Sequence, residues 1–116
     1  MRLLEKKDLP QNFIYPLDFI KIIDQNLINI TPWHIIVGDE LKGRYEGLKS
    51  RFPARNLIPF ACRNDNDDVA CFEVENRGIV HIIHDFANTG YEQRETFNSF
   101  WLWFRKAIED MIEYEP

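Results

Sequence analysis

Leu57-Ile58-Pro59-Phe60-Ala61-Cys62-Arg63-Asn64-Asp65-Asn66-Asp67-Asp68-Val69-Ala70-Cys71-Phe72-Glu73-Val74 decides the fold. Two apolar runs flank a stretch that cannot be a strand. Asn and Asp bond their own backbone and favour turns, so the segment reads as a β-hairpin with strands at 57–62 and 69–74. A second turn, Glu75-Asn76-Arg77-Gly78, follows. It leads into a third strand, Ile79-Val80-His81-Ile82-Ile83-His84-Asp85-Phe86. Three strands joined by short turns make an antiparallel meander.

Outward from the meander the period changes. Residues 87–95, which include Gly90, read as a loop. Beyond it Phe97, Phe100, Trp101, Phe104, Ile108, Met111 and Ile112 recur at helical spacing. They predict a long helix over about 97–113, capped by Thr96 or Asn98. Leu102 falls outside that apolar face and Trp103 lies on its flank. On the N-terminal side, Leu9-Pro10 opens a second helical stretch. Its apolar residues are Phe13, Ile14, Leu17, Ile20, Ile23 and Leu27, with Pro16 suited to a first turn and Gln25-Asn26 ending it. Trp33 to Val37 reads as a short strand. Residues 39–50 have helical composition, weakened by Gly43 and Gly47. The expectation is one α+β domain over 1–116, an antiparallel meander flanked by an N-terminal helix and a long C-terminal helix.

Composition supports a real core. The 116 residues are 45% hydrophobic and 14% aromatic, unlike a disordered segment. Charged residues at the N-terminus replace the apolar run of a signal peptide, and no stretch approaches the roughly 18 apolar residues of a membrane span. Cys62 and Cys71 supply no disulfide framework. The chain therefore reads as a cytoplasmic protein with reduced thiols and no membrane partner. The net charge of −5 is uneven: residues 1–58 sum to +2 and residues 59–116 to −7. An acidic half disfavours direct contact with nucleic acid and suits a basic protein partner.

Several chemical constellations can be tested against spacing. If Phe60 and Phe72 face one core, Cys62 shares that face and Cys71 points away, so the two thiols do not meet. No CxxC pair offers a structural zinc site. His81 and His84 leave opposite faces of a strand, and the neighbours His84 and Asp85 also point apart. No nucleophile motif accompanies them. Counting a calcium loop from Asn64 places Asn66, Asp68 and Glu75 at ligand positions, but Val69 stands where the sharp-turn Gly belongs. Catalytic, cofactor and metal sites are therefore all expected to be absent. A hydrolase using His81, His84 and Asp85 is the reading from another class. The partner surface is expected at the acidic stretch Asp65, Asp67, Asp68, Glu73 and Glu75, where no Lys or Arg occurs from 64 to 76. An exposed Trp103, with Leu102, is the second candidate contact.

The order of these pieces resembles the SUKH superfamily. Leu9-Pro10 with Phe13 and Phe19-Ile20 is similar to that family's first helix. Leu57-Ile58-Pro59-Phe60-Ala61 with Asp67-Asp68-Val69-Ala70-Cys71-Phe72 is similar to its central hairpin. Phe97-Asn98-Ser99-Phe100 resembles the opening of its last helix. Gln25-Asn26 departs from the Gly-rich end usual for the first helix. The resemblance implies a non-enzymatic binding domain. Bacterial members act as immunity proteins that neutralise a toxin, often a nuclease, and eukaryotic members as regulatory interaction modules.

Overall fold

A computed structural model describes residues 2–115. The elements run α1 (Leu17–Asp24), β1 (Asn29–Ile30), β2 (Trp33–Ile35), α2 (Gly38–Arg51), β3 (Leu57–Arg63), β4 (Asp68–Glu73), β5 (Asn76–His84), β6 (Gln93–Phe97) and α3 (Phe100–Glu113). The six strands form one antiparallel sheet in chain order. The α+β class and the meander are therefore as expected.

Several boundaries differ. The expected loop at 87–95 contains the start of β6, whose Gln-Arg-Glu-Thr-Phe sequence has no apolar alternation and is recruited by pairing with β5. Phe97 closes that strand, so α3 begins at Phe100. Its cap is Ser99, whose Oγ accepts from the Leu102 amide at 3.1 Å, and not Thr96 or Asn98. The third expected strand stops at His84, leaving Asp85 and Phe86 in the following loop.

The meander separates two apolar layers. On one face Phe60 stacks on Phe72 at 4.3 Å and meets Phe19 of α1 and Phe100 and Trp103 of α3. On the other face α2 lies across β3, burying Leu41, Tyr45 and Leu48. A β-bulge between Pro59 and Ala61 gives β3 one extra residue opposite β4. It corrects the expected placement of the thiols. Past the bulge, Cys62 pairs with Val69, which shares its face with Cys71 two residues on. Both thiols therefore turn toward the α2 layer, away from Phe60 and Phe72. Both are free and buried.

The two outer helices are rotated from expectation. Along α1 the buried residues are Phe19 and Ile22, while Leu17 is 84% exposed. Along α3 they are Phe100, Trp103 and Ala107, with Trp101, Phe104 and Ile108 only half-buried and Ile112 exposed. The aromatic density at 97–104 points in two directions at once. The core takes the largest rings that can reach between the strands.

The core also sets an alkaline limit. Burial pushes the Tyr15 hydroxyl up to about 12 and the Cys62 thiol up to about 11. The unfolded chain releases these protons first, so it binds fewer protons than the folded chain in this range. Stability should fall as pH rises from about 9 toward 12, by on the order of 2 kcal/mol for Tyr15 alone. Urea midpoints at pH 8, 9.5 and 11 check this. Equal midpoints would show that neither group is protected.

Candidate functional site

The β5–β6 connection, Asp85-Phe86-Ala87-Asn88-Thr89-Gly90-Tyr91-Glu92, is built on a buried charge. Asp85 is fully buried, and a buried carboxylate is tolerated only with partners. Both come from α2. Arg44 Nη1 lies 2.5 Å from Oδ2, and Arg51 Nε donates to Oδ1 at 2.7 Å and to the Asp85 carbonyl at 3.2 Å. Residues seven apart on a helix share a face, which is how one helix supplies two guanidinium groups to one carboxylate.

The rest of the loop is tied with equal care. The His84 amide donates to the Glu92 carbonyl at 2.8 Å, closing the loop's neck, and the Tyr91 amide donates to Asn88. Gly90 has φ +95°, a region that favours glycine, and its amide donates to the buried Glu92 carboxylate at 2.7 Å. Arg55 meets the same carboxylate at 3.1 Å. Burial pushes the Glu92 carboxyl up, but these amide bonds and Arg55 outweigh it and hold it below the usual range. Two large side chains nevertheless point out of this fastened loop: Phe86 is 61% exposed and Tyr91 is 81% exposed. The Arg51 guanidinium lies 4.8 Å from the Phe86 ring centroid, a cation–π contact that steadies the ring. An open hollow beside Phe86 is walled by Asp39, Glu40, Arg44 and Arg51.

The acidic stretch expected to meet a partner is divided. The Asp85 amide donates to the Asp67 carbonyl at 3.2 Å, so the 64–67 turn lies against the aromatic loop. Asp65 and Asp67 are both exposed there. Glu73 and Glu75 lie at the other end of β4, about 17 Å away along the strand. The structure also supplies the bases that the local sequence lacks. Arg63 holds Asp65 through two bonds, at 2.8 and 3.0 Å, and keeps its carboxyl below the usual range. Arg94 meets the half-buried Asp68 at 2.7 Å. Arg55 and His81 meet Glu73 at 3.2 and 3.0 Å. Asn56 donates to Glu75 at 2.6 Å. Of the five acids, Asp67 is the one at the aromatic end whose carboxylate carries no ion pair among the described residues.

Trp103 is corrected more sharply. It is 1% exposed, edge-on to Trp33 at 5.5 Å and to Phe60 at 4.8 Å, and has no surface to offer. Leu102 beside it is exposed.

The residues of the hydrolase reading are scattered. His81 pairs across the ladder with Cys71 and His84 with Asp68, on opposite faces. Burial pushes the His81 imidazole down, against the pull of Glu73. The Cys71 thiol opposite is pushed well up by burial, the reverse of an activated nucleophile. Asp85 is committed to its two arginines. Among the described residues no three His, Cys, Asp or Glu side chains converge on a position that could hold a metal ion, and no helix is long and apolar enough to cross a membrane.

Sequence reasoning missed Phe86 and Tyr91. Phe86 follows an apolar run directly, so the sequence alone places it in the strand. The available signal was two aromatics bracketing Ala-Asn-Thr-Gly, because large apolar residues in a turn-rich loop have no core to enter.

Comparison with protein families, with curated proteins and with solved structures finds no match.

Proposed function

We propose that this chain is a non-enzymatic, cytoplasmic protein-binding domain, an immunity protein of SUKH type that neutralises a toxin by direct contact. The observation that carries the reading is the pair Phe86 and Tyr91, exposed on a loop whose base is fixed by Asp85, Arg44 and Arg51. Aromatic and Arg side chains dominate binding hot spots, and a preorganised loop loses little entropy on docking. Asp67 beside them suits a basic partner, as a nuclease must be where it holds phosphates. The sequence resemblance supports the class of partner, and the loop supports its location.

The test uses a toxin domain encoded by an adjacent gene. The wild-type chain should bind it and block its activity. Phe86→Ala with Tyr91→Ala should weaken binding by at least about 30-fold, the scale of a hot spot of 2 kcal/mol or more, with an unchanged thermal midpoint. Asp67→Asn should instead slow association at low salt, since rim charges act on the encounter rate. Full binding by the double variant would move the interface elsewhere. No binding by the wild type would remove the immunity reading.

A further inference from the structure

Four side chains close a hydrogen-bonded circuit on the face of the sheet that Cys71 shares with His81. Arg55 precedes β3, and Glu73, His81 and Gln93 come from β4, β5 and β6. Arg55 Nη2 donates to Gln93 Oε1 at 2.9 Å and to Glu73 Oε1 at 3.2 Å. Gln93 Nε2 lies 3.2 Å from His81 Nδ1. His81 Nε2 lies 3.0 Å from the same Glu73 oxygen. Arg55 also reaches out of the circuit through Nη1, 3.1 Å from Glu92 Oε2. One guanidinium thus ties the circuit to the buried carboxylate at the base of the aromatic loop.

The direction of these bonds fixes the state of His81. An arginine can only donate and a backbone carbonyl can only accept. Arg55 on one side and the Glu95 carbonyl, 2.7 Å from Nε2, on the other leave the Gln93 amide one orientation. Its Oε1 faces Arg55 and its Nε2 faces His81. Nδ1 of His81 must then accept, so the ring's one proton sits on Nε2, beside Glu73. A proton on Nδ1 would set donor against donor at Gln93. Were the amide to turn and accept it, the same clash would reappear at Arg55. The new charge would also stand beside a guanidinium, with Glu73 as the one acid in the circuit. Across the ladder His81 faces Cys71 on β4 and Thr96 on β6, and neither supplies a negative charge, because burial keeps the Cys71 thiol protonated. The His81, Arg55 and Glu73 side chains are only 16%, 20% and 22% exposed, so water replaces little of what is lost.

We propose that His81 is an acid-sensitive latch for the aromatic loop: a proton on Nδ1 opens the circuit, Arg55 loses its fixed place, and Glu92 is released with the loop it anchors. Glu92 then loses its one ion-pair partner among the described residues. Burial above all, and Arg55 with it, holds the His81 imidazole below its ordinary value, against Glu73. As pH falls, the unfolded chain therefore takes up this proton before the folded one does. The stabilisation is complete above about pH 6.5 and is lost as pH falls below it. The Glu92 carboxyl is held below the usual range and stays ionised at pH 5.5, so release of the loop is not its own titration.

Isotope-edited NMR of the imidazole nitrogens in the intact chain reads the latch directly. At pH 7.5 His81 should be the neutral Nε2–H tautomer, and its titration midpoint should lie below about 6.5. The Gly90 and His84 amides donate to the Glu92 carboxylate and carbonyl. Their exchange protection, corrected for intrinsic rates, should fall at least about threefold between pH 7.5 and 5.5. His81→Gln keeps a donor and an acceptor but does not titrate, and should hold that protection constant. Gln93→Glu gives Nδ1–H an acceptor, so it should raise the His81 midpoint and keep the loop closed at pH 5.5. An Nδ1–H or doubly protonated ring at pH 7.5 overturns the proposal. So does protection that falls equally in the wild type and in His81→Gln. A consequence for toxin capture rests on the toxin-binding reading: the wild type should lose more affinity between pH 7.5 and 5.5 than His81→Gln does. A latch that opens in a chain that binds no toxin at either pH would end that reading and leave the latch standing.

Discussion

Asp85→Asn should lower the unfolding free energy by about 3–5 kcal/mol. The substitution keeps the side chain's shape and removes its charge. Arg44 and Arg51 then face each other across a neutral amide, and neither has another ion-pair partner among the described residues. One partner of a buried ion pair costs far more to remove than the pair is worth, because the charges left behind have already lost part of their water. Both guanidinium groups keep some exposure, with side chains 25% and 33% accessible. This places the loss toward the lower end of the range. The measurement is urea unfolding with the slope compared as well as the midpoint. A second readout is local. Amide exchange should quicken at Asp85 and Ala87, whose bonds to Asp67 and His84 define the start of the loop. A cost below about 1 kcal/mol would mean that Asp85 is a passive neighbour of the arginines, and Phe86 would then lack a fixed base.

Trp103→Ala should cost a similar amount, about 3–5 kcal/mol, for a different reason. The indole fills the junction between α3 and the sheet, with Trp33, Phe60, Phe100 and Phe104 around it. Its removal leaves a cavity that ring neighbours cannot collapse into without leaving their rotamers. Trp103→Phe is the informative companion. The indole N–H has no hydrogen-bond partner among the described residues, so losing it forfeits no bond. The smaller ring should cost less than about 2 kcal/mol. Calorimetry of the two variants distinguishes these outcomes. A tolerated Trp103→Ala would return this residue to the surface that its sequence position first suggested.

The meander was legible because its signals were local. Asn64 to Asp68 can only turn, and the apolar runs on either side can only pair. What escaped was information held by other parts of the chain. The strand Gln93–Phe97 has one apolar residue, its last, and no alternation to announce it, and it exists because β5 offers an open ladder. The helix faces were misphased because α1 and α3 each satisfy helical periodicity in two phases, and only the neighbouring rings Phe60 and Phe72 choose between them. The acidic stretch looked unpaired because its bases come from elsewhere, Arg55 from 18 residues away and Arg94 from the next hairpin but one. One extra residue in β3 was enough to turn Cys62 from one layer to the other. The aromatic loop follows directly on an apolar run, and nothing local to Asp85 and Phe86 shows that the ladder with β4 ends at His84.

The chain-order sheet has a kinetic corollary. Every strand pairs only with its sequence neighbour, so the hairpins from β3 to β6 close short loops at small entropic cost, whereas β2 reaches β3 only across the whole of α2. Among the contacts that join the chain's two halves is a clasp in which the Trp33 indole donates to Asp110 at 3.0 Å across 77 residues. That contact waits until α3 has docked. Substitutions at Asp110 should therefore accelerate unfolding and leave the refolding rate nearly untouched, whereas changes in the 64–67 turn should slow refolding first.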